Sequence, residues 1–222
     1  MDMSAFAVVP VKTLLKSKTR LSNYFTIQER PLFTLAMLED VLNTLKSSKI
    51  DKTIVISSDS TVEAMVKNFG MTFLQEAQEG LNKALNQATR WCLRKEAELV
   101  LALPADAPLI TTKDVDEIVN LALKNSVVIS PSCDGGTNAL LQKPPGIVSP
   151  CFGPDSFKRH ISKAHAKHVR IKIYVSANVL FDIDSDTDLE QLLKMGQETA
   201  SYHFLKQKGL SGRCHTVDSC KG

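Results

Sequence analysis

The sequence predicts an α/β fold with a mostly parallel central sheet and helices on both of its faces. Apolar, strand-like segments alternate with segments of helical period, which is the pattern of a parallel sheet. The segment "AELVLALP" is almost continuously apolar, as expected of a strand buried on both faces. The chain has 222 residues, 43% of them hydrophobic, which is enough for one sizeable core. We therefore expect a single domain over residues 1–209.

The elements follow in a regular order through the first half. Strands are expected at 5–11, 52–59 and 97–104, and helices at 30–45, 60–70, 80–95 and 111–124. Pro31 favours a helix start, Gly70 a helix end, and Thr111 with Asp114 forms a capping-box pattern. The second half predicts strands at 126–136, 137–145, 171–175 and 179–184 around one helix at 154–167.

Composition excludes several classes of protein. No apolar run reaches the ~18 residues that a membrane helix needs, and "MDMSAFAVVPVK" is a poor signal peptide, so a cytoplasmic location is expected. A net charge of +3 does not indicate nucleic-acid binding. The five cysteines lack C-x-x-C spacing and suit reduced thiols: Cys92, Cys133, Cys151, Cys214 and Cys220. Residues 210–222 show no periodicity and are expected to be disordered or loosely held.

A single carboxylate stands out at the end of the apolar strand. In "LALPADAPLI", Asp106 lies between Pro104 and Pro108, which stiffen the backbone and disfavour a helix. Ligands of open α/β sheets bind beyond the carboxyl ends of the strands. Asp106 is therefore expected to point into the functional site.

A second acidic group follows the apolar "VLF". In "VLFDIDSDTDL", Asp182 and Asp184 would share one face of a strand. Together with Asp106 they would suit magnesium, which prefers oxygen ligands and substrate phosphates. The alternative is that Asp184, Ser185 and Asp186 cap a helix near Thr187, which is favoured for Asp186. The spacing alone does not decide whether these aspartates bind a metal ion.

Three segments could bind phosphate groups. A basic loop after the first strand carries Lys12, Lys16, Lys18 and Arg20, whereas the Walker and G-x-G-x-x-G patterns are absent. Gly135 and Gly136 with Thr137 could let a ligand approach the backbone, and Gly153 with Ser156 precedes a helix whose N–H groups could bind an anion. The alternatives are a solvated loop, a hairpin turn and an ordinary cap, respectively.

In combination, the motifs resemble the 2-phospho-L-lactate guanylyltransferase family of coenzyme F-420 biosynthesis. They occur in the family's order over nearly the whole chain to about residue 208: "PVK…KTRL", "ER" followed by "AMLEDVL", "GLNKAL", "LPADAPLI", "DGGTNAL", "FGPDSF" and "FDIDSDTDL". Thr19, where the family more often has Ser, is a small departure. Residues beyond Gly209 are not explained by the resemblance.

The resemblance implies a nucleotide-diphospho-sugar transferase (GT-A-like) fold and a magnesium-dependent reaction. GTP and 2-phospho-L-lactate would give lactyl-2-diphospho-5′-guanosine and pyrophosphate, and the enzyme would be a homodimer. Residue by residue, it implies these roles: Asp106, Asp182 and Asp184 for metal; Thr137, Gly153 and Ser156 for the phosphorylated three-carbon acid; Lys12, Lys18 and Arg20 for the triphosphate and catalysis; Gly80 and Asn82 for the nucleoside.

The residues leave other points open. Phosphoenolpyruvate or 3-phosphoglycerate could replace 2-phospholactate, and guanine cannot be derived from the residues. Another nucleotidyltransferase of the same fold or a non-catalytic nucleotide-binding module are the alternative functions. His160, His165 and His168 are expected on a solvated helix face, because their spacing does not gather them into a metal site; the alternative is that His160 contacts the substrate.

Overall fold

The computed structural model, which describes residues 3–196 and 198–210, contains a seven-stranded sheet. Its strands are β1 (Ala5–Pro10), β2 (Lys52–Ser57), β3 (Thr72–Gln75), β4 (Leu99–Ala102), β5 (Val127–Pro131), β6 (Thr137–Gln142) and β7 (Ile171–Ile173). Their order across the sheet is β3-β2-β1-β4-β6-β5-β7. Only β6 runs against its neighbours, β4 and β5, and the other pairs are parallel. The predicted mostly parallel sheet is confirmed.

Helices cover both faces of this sheet. They are α1 (Glu29–Lys46), α2 (Ser60–Asn68), α3 (Leu81–Arg94), α4 (Thr112–Leu121), α5 (Ser156–Ala166), α6 (Ala177–Leu180), α7 (Asp186–Met195) and α8 (Ala200–Gln207). Successive side chains of a strand point to opposite faces. Accordingly Ala7 and Val9 of β1 pack with α1, α2 and α4, whereas Phe6 and Val8 pack with α3. Burial on both faces explains the apolar strands.

Helix α8 is attached to α1 by one buried carboxylate. Asp40 of α1 accepts hydrogen bonds from the backbone N–H groups of Ala200 and Ser201, at 2.6 and 3.0 Å, and from the Ser201 hydroxyl at 2.6 Å. These donors belong to the first turn of α8, which would otherwise lack partners. Phe25 and Phe33 pack against Phe204 beside this contact. Helix α8 thus completes a separate apolar cluster beyond the sheet.

The structure corrects the strand predicted at 179–184. Residues Ala177–Leu180 form α6, and the segment after it is extended but outside the sheet. The reason is a set of long-range hydrogen bonds: Asn138 donates from Nδ2 to the carbonyl groups of Val179 and Leu180, and the Ile183 N–H donates to the Asp106 carbonyl at 3.1 Å. The backbone groups that a strand would use are therefore satisfied elsewhere.

Helix caps agree with the sequence in one case and differ in another. Thr111 and Asp114 form the predicted capping box of α4. In α7, Ser185 and Asp188 form the capping box, and Asp186 is the first helical residue rather than the cap. The helix expected to begin near Thr187 is α7, whereas the short β3 and helices α6 and α8 were not predicted, because segments this brief carry little periodicity.

Several predictions concern the chain as a whole. Within the described residues, no helix is long and apolar enough to cross a membrane. The described cysteines, Cys92, Cys133 and Cys151, are free thiols. Cys214, Cys220 and residues 211–222 of the predicted tail lie outside the described residues.

Candidate active site

A cleft of about 230 Å³ lies at the carboxyl ends of β1 and β4. Its walls include Pro10, Pro104, Thr137, Ser156, Asp182 and Asp184. The direction of β6 explains why residues from its start join this edge. Because β6 is antiparallel to β4, with Ala102 opposite Leu140, its first residues extend past the end of β4. Residues far apart in the chain thus meet where α/β sheets bind ligands.

Lys18 lies between two of the predicted metal ligands. Its Nζ is 2.6 Å from Asp106 Oδ2 and 3.0 Å from Asp184 Oδ1, and it also donates to the Ile183 carbonyl. Only 6% of the Lys18 side chain is exposed, against 30% for Asp106 and 50% for Asp184. Burial alone would lower the pKa of Lys18, but the two carboxylates outweigh it and raise the pKa above its ordinary value. The ammonium group is therefore held charged inside the carboxylate cluster, which we define as Asp106, Asp182 and Asp184.

Asp182 is the member of the carboxylate cluster whose pKa is raised. Burial, and then the charge of Asp106, raise its pKa to about 6, opposed by a hydrogen bond from Asn138. Asn138 is itself 4% exposed and donates from Nδ2 to Asp182 Oδ1 at 3.2 Å. Asn138 was not predicted as a site residue, although it follows Thr137 at the start of β6. The cluster holds more negative charge than Lys18 compensates.

The carboxylate cluster fits a divalent cation in its chemistry. Its donors are carboxylate oxygens, which magnesium prefers, and its excess charge is negative. Among residues 3–196 and 198–210, however, no three His, Cys, Asp or Glu side chains are arranged to hold a metal ion. Lys18 lies where Asp106 and Asp184 converge. A cation shared by these two carboxylates would have to displace the ammonium group.

The rest of the basic loop faces solvent. Lys12 is exposed, and Arg20 is 80% exposed with Nη1 4.0 Å from Asp184 Oδ2. Lys16 is also exposed, and its Nζ forms an ion pair with Glu79 Oε1 at 2.8 Å. Lys18 itself departs from the solvated-loop alternative, since its backbone is left-handed, at φ 49°, and its side chain turns inward. Triphosphate contacts of Lys12, Lys18 and Arg20 stay predictions.

The predicted acceptor residues Thr137 and Ser156 are in direct contact. Ser156 Oγ donates to Thr137 Oγ1 at 3.1 Å, and Thr137 Oγ1 is 3.1 Å from His160 Nδ1. Gly153 lies at the same wall of the cleft with φ 116°, which favours glycine. His160 is fully buried, so its predicted place on a solvated face is wrong. Ser156, His160 and Ala164 are spaced four apart and form the buried stripe of α5.

Two other predicted positions have structural partners. The Asn82 side chain donates to the Phe152 carbonyl at 3.1 Å and accepts from the Phe152 N–H at 2.7 Å, which ties α3 to the cleft wall. Gly80 precedes α3 with φ 131°. Gly136 belongs to the turn between β5 and β6, where an added Cβ would lie 2.5 Å from Ser132 Oγ. The hairpin-turn alternative therefore describes that glycine.

Nucleoside contacts of Gly80 and Asn82 stay predictions.

Comparison with known proteins relates the chain to one family. The family profile described as "Guanylyl transferase CofC like" matches residues 5–220. A phosphoenolpyruvate guanylyltransferase from Rubrobacter xylanophilus is 40% identical over 196 residues, covering 87% of this chain and 96% of that protein. A 2-phospho-L-lactate guanylyltransferase from Methanobrevibacter smithii is 32% identical, covering 91% and 89%.

Solved structures bear on the fold alone. A candidate nucleotide-diphospho-sugar transferase from Desulfovibrio desulfuricans superposes with a TM-score of 0.79 at 15% identity, covering 94% of this chain and 96% of that one. A nucleotidyl transferase from Methanothermobacter superposes with a TM-score of 0.65 at 14% identity, covering 92% and 99%. The nucleotide-diphospho-sugar transferase type of fold is thereby confirmed.

Proposed function

This chain belongs to the CofC-like guanylyl transferase family, and from that premise we propose that it joins GTP to a phosphorylated three-carbon acid. The acceptor is 2-phospho-L-lactate, giving lactyl-2-diphospho-5′-guanosine, or phosphoenolpyruvate, giving the corresponding enol product. Relatives named for each acceptor match most of the chain. Either reaction releases pyrophosphate and supplies coenzyme F-420 biosynthesis.

One observation carries the proposal: the cleft has carboxylates, one of them paired with Lys18, beside a wall that carries two hydroxyl groups. Asp182 and Asp184 line the same cleft as Thr137 and Ser156. Guanylyl transfer needs both halves, because a triphosphate must be held beside a second anion without general-base chemistry. The cleft therefore combines carboxylates that could hold a cation, Asp134 among them, with the hydrogen-bonding hydroxyl groups of Thr137 and Ser156.

The bonding changes balance without a proton transfer. An oxygen of the acceptor's ionised phosphate forms a bond to the α-phosphorus of GTP. The bond from that phosphorus to the bridging oxygen breaks, and pyrophosphate leaves with the electron pair. Among the described residues no histidine lines the cleft; His160 lies buried behind Thr137, and burial lowers its pKa to about 4. It is neutral at physiological pH and is not needed as a base.

We assign the charged residues to the repulsion between the two anions. Magnesium held by Asp106, Asp182 and Asp184 would neutralise phosphate charge as the in-line attack develops. Lys12 is exposed, as is Arg20 with its Nη1 4.0 Å from Asp184 Oδ2; we assign both to phosphate oxygens, of which the guanidinium can bind two at once. Lys18 is paired with Asp106 and Asp184, and a cation that displaced it would free a third positive charge for the phosphate groups.

The direct test is acceptor-dependent pyrophosphate release. The protein is incubated with MgCl2, GTP and either 2-phospho-L-lactate, phosphoenolpyruvate or 3-phosphoglycerate, and the guanylylated product is identified by mass spectrometry. Product with one of the first two acids is expected, and the ratio of kcat/KM values identifies the acceptor. Nucleotide binding without product from any acid would instead favour a non-catalytic nucleotide-binding module.

A matched pair of variants tests the site. Asp106→Asn removes a charge from the carboxylate cluster and should lower kcat by about two orders of magnitude or more, since charge stabilisation acts in the transition state. Asp186→Asn removes a charge from an exposed residue beside the cluster and should leave kcat nearly unchanged. Equal loss in both variants, or loss of folding in Asp106→Asn, would contradict the assignment.

A further inference from the structure

A chain of buried hydrogen bonds runs from the protein interior to the wall of the cleft that carries Thr137, Gly153 and Ser156, which we call the acceptor wall because we assign it to the phosphorylated acid. The Cys151 N–H donates to His160 Nε2 at 3.0 Å, and His160 Nδ1 lies 3.1 Å from Thr137 Oγ1. Ser156 Oγ donates to the same Thr137 oxygen. His160 and Ser156 are 0% and 1% exposed, so water does not compete for these groups. The ring is further packed edge-on against Phe152 at 4.9 Å between centroids.

The backbone determines which nitrogen of His160 carries the proton. A backbone N–H can only donate, so Nε2, which receives it from Cys151, must be unprotonated. A neutral imidazole then has its proton on Nδ1. The opposite tautomer would place the N–H of Nε2 against the N–H of Cys151. His160 therefore donates from Nδ1 to the Thr137 hydroxyl oxygen.

Counting hydrogen bonds then determines the direction of the Thr137 hydroxyl. A hydroxyl oxygen has two acceptor positions and one proton to donate. His160 and Ser156 donate into both acceptor positions of Thr137 Oγ1. The Thr137 proton must go to another group, and Thr137 lines the cleft. The open partner is a ligand that can accept a hydrogen bond.

We propose that His160 is a positioning residue that fixes the Thr137 hydroxyl as a hydrogen-bond donor to the anionic acceptor. The inference rests on the proposed function for the identity of that acceptor, but the direction of the network depends only on the protein. His160 does not touch the acceptor and acts through Thr137. It makes the wall selective for an ionised phosphate or carboxylate oxygen and unfavourable for a group that must itself donate.

The tautomer can be measured in the ligand-free protein. Long-range ¹H–¹⁵N correlation spectra of ¹⁵N-histidine-labelled protein distinguish the protonated from the unprotonated ring nitrogen, and the His160 signals are assigned by their loss in a His160 variant. We expect the proton on Nδ1 at neutral pH. A proton on Nε2, or rapid exchange between tautomers, would overturn the inference whether or not the protein is a guanylyltransferase.

Two variants isolate the donor to Thr137. His160→Asn keeps an N–H near the position of Nδ1, whereas His160→Leu has none. Both variants lose the ring nitrogen that accepts the hydrogen bond from the Cys151 N–H. The acceptor KM should be about tenfold higher in His160→Leu than in His160→Asn, the loss expected for one hydrogen bond to a charged group. The KM for GTP should agree within about twofold, and His165→Leu on the exposed side of the helix should match wild type.

A background variant separates positioning from general damage. In Thr137→Val the hydroxyl is absent, so the difference in acceptor KM between His160→Leu and His160→Asn should disappear. Its persistence there, or equal acceptor KM values with Thr137 present, would overturn the proposal. Circular dichroism and melting curves check folding. If wild type forms no guanylylated product, the proposed function fails, while the tautomer measurement still decides the direction of the network.

Discussion

Replacing Lys18 by methionine should make the stability of the protein depend on magnesium. The substitution keeps an unbranched, buried side chain but removes the charge between Asp106 and Asp184. Removing one partner of a buried ion pair costs ~3–5 kcal/mol, because a charge is left without compensation. The two carboxylates are 30% and 50% exposed, so solvent screening reduces this to about 2 kcal/mol.

The expected shift is large enough to measure by thermal unfolding. For a domain of this size ~1 kcal/mol corresponds to ~2–4 °C in Tm, so Lys18→Met should melt about 4–8 °C below wild type in EDTA. Magnesium binding only the folded state at 100 times its Kd contributes about 2.7 kcal/mol. Saturating MgCl2 should therefore restore the Tm of the variant, and raise that of wild type much less, because Lys18 must first be displaced.

Lys16→Met is the matched control, since Lys16 lies in the same loop and is 68% exposed. Its ion pair with Glu79 is a surface contact, and its removal should leave both the Tm and the magnesium response near those of wild type. The reasoning is refuted if Lys18→Met melts like wild type in EDTA, or if magnesium stabilises both proteins equally. Either result would mean that Lys18 does not compete with a cation for the carboxylate cluster.

Further predictions concern positioning, pH and folding. Asn138→Leu removes the donor to Asp182 and should lower the free energy of unfolding by ~1–3 kcal/mol together with kcat; urea titration and steady-state kinetics check this, and an unchanged kcat would remove Asn138 from the site. Burial, with lesser effects of nearby cations, lowers the pKa of His160 from 6.5 to about 4, so the folded state binds fewer protons between these values. The contribution of His160 to the free energy of unfolding is therefore fully present above pH 6.5, and up to about 3 kcal/mol is lost as the pH falls toward 4. In urea titrations, His160→Asn should flatten this pH dependence. Asp40→Ala unpairs the start of α8 and should cost ~1–2 kcal/mol in the same titrations with kcat unchanged; a fall in kcat would contradict its purely structural role.

The sheet and the position of Asp106 could be predicted because both depend on local sequence. The alternation of strands and helices is visible in the hydrophobic pattern, and two prolines exclude a helix around Asp106. The capping box of Thr111 and Asp114 is likewise contained in four residues. Where a few neighbouring residues determine the backbone, the sequence sufficed.

The contacts of Lys18 could not be predicted, because its partners Asp106 and Asp184 lie 88 and 166 residues away. A basic loop was visible, but which of its cations turns inward depends on tertiary packing. The path of the segment 181–184 could not be predicted for the same reason. Asn138 binds the carbonyl groups of Val179 and Leu180 just before this segment, and these long-range hydrogen bonds take the place of strand pairing. His160 is different, since the four-residue spacing with Ser156 and Ala164 was present and could have predicted burial.

The antiparallel direction of β6 has a consequence for how acceptor preference can be inherited. Thr137, Gly153, Ser156 and His160 all lie in one continuous stretch, 137–160, which enters the cleft edge at the start of β6 and leaves along α5. The basic loop and Asp106 belong to earlier parts of the chain. Exchange of this one stretch would replace the whole proposed acceptor wall and leave the loop proposed for the triphosphate intact. Chimeras with relatives named for the other acceptor therefore require one insert and two junctions.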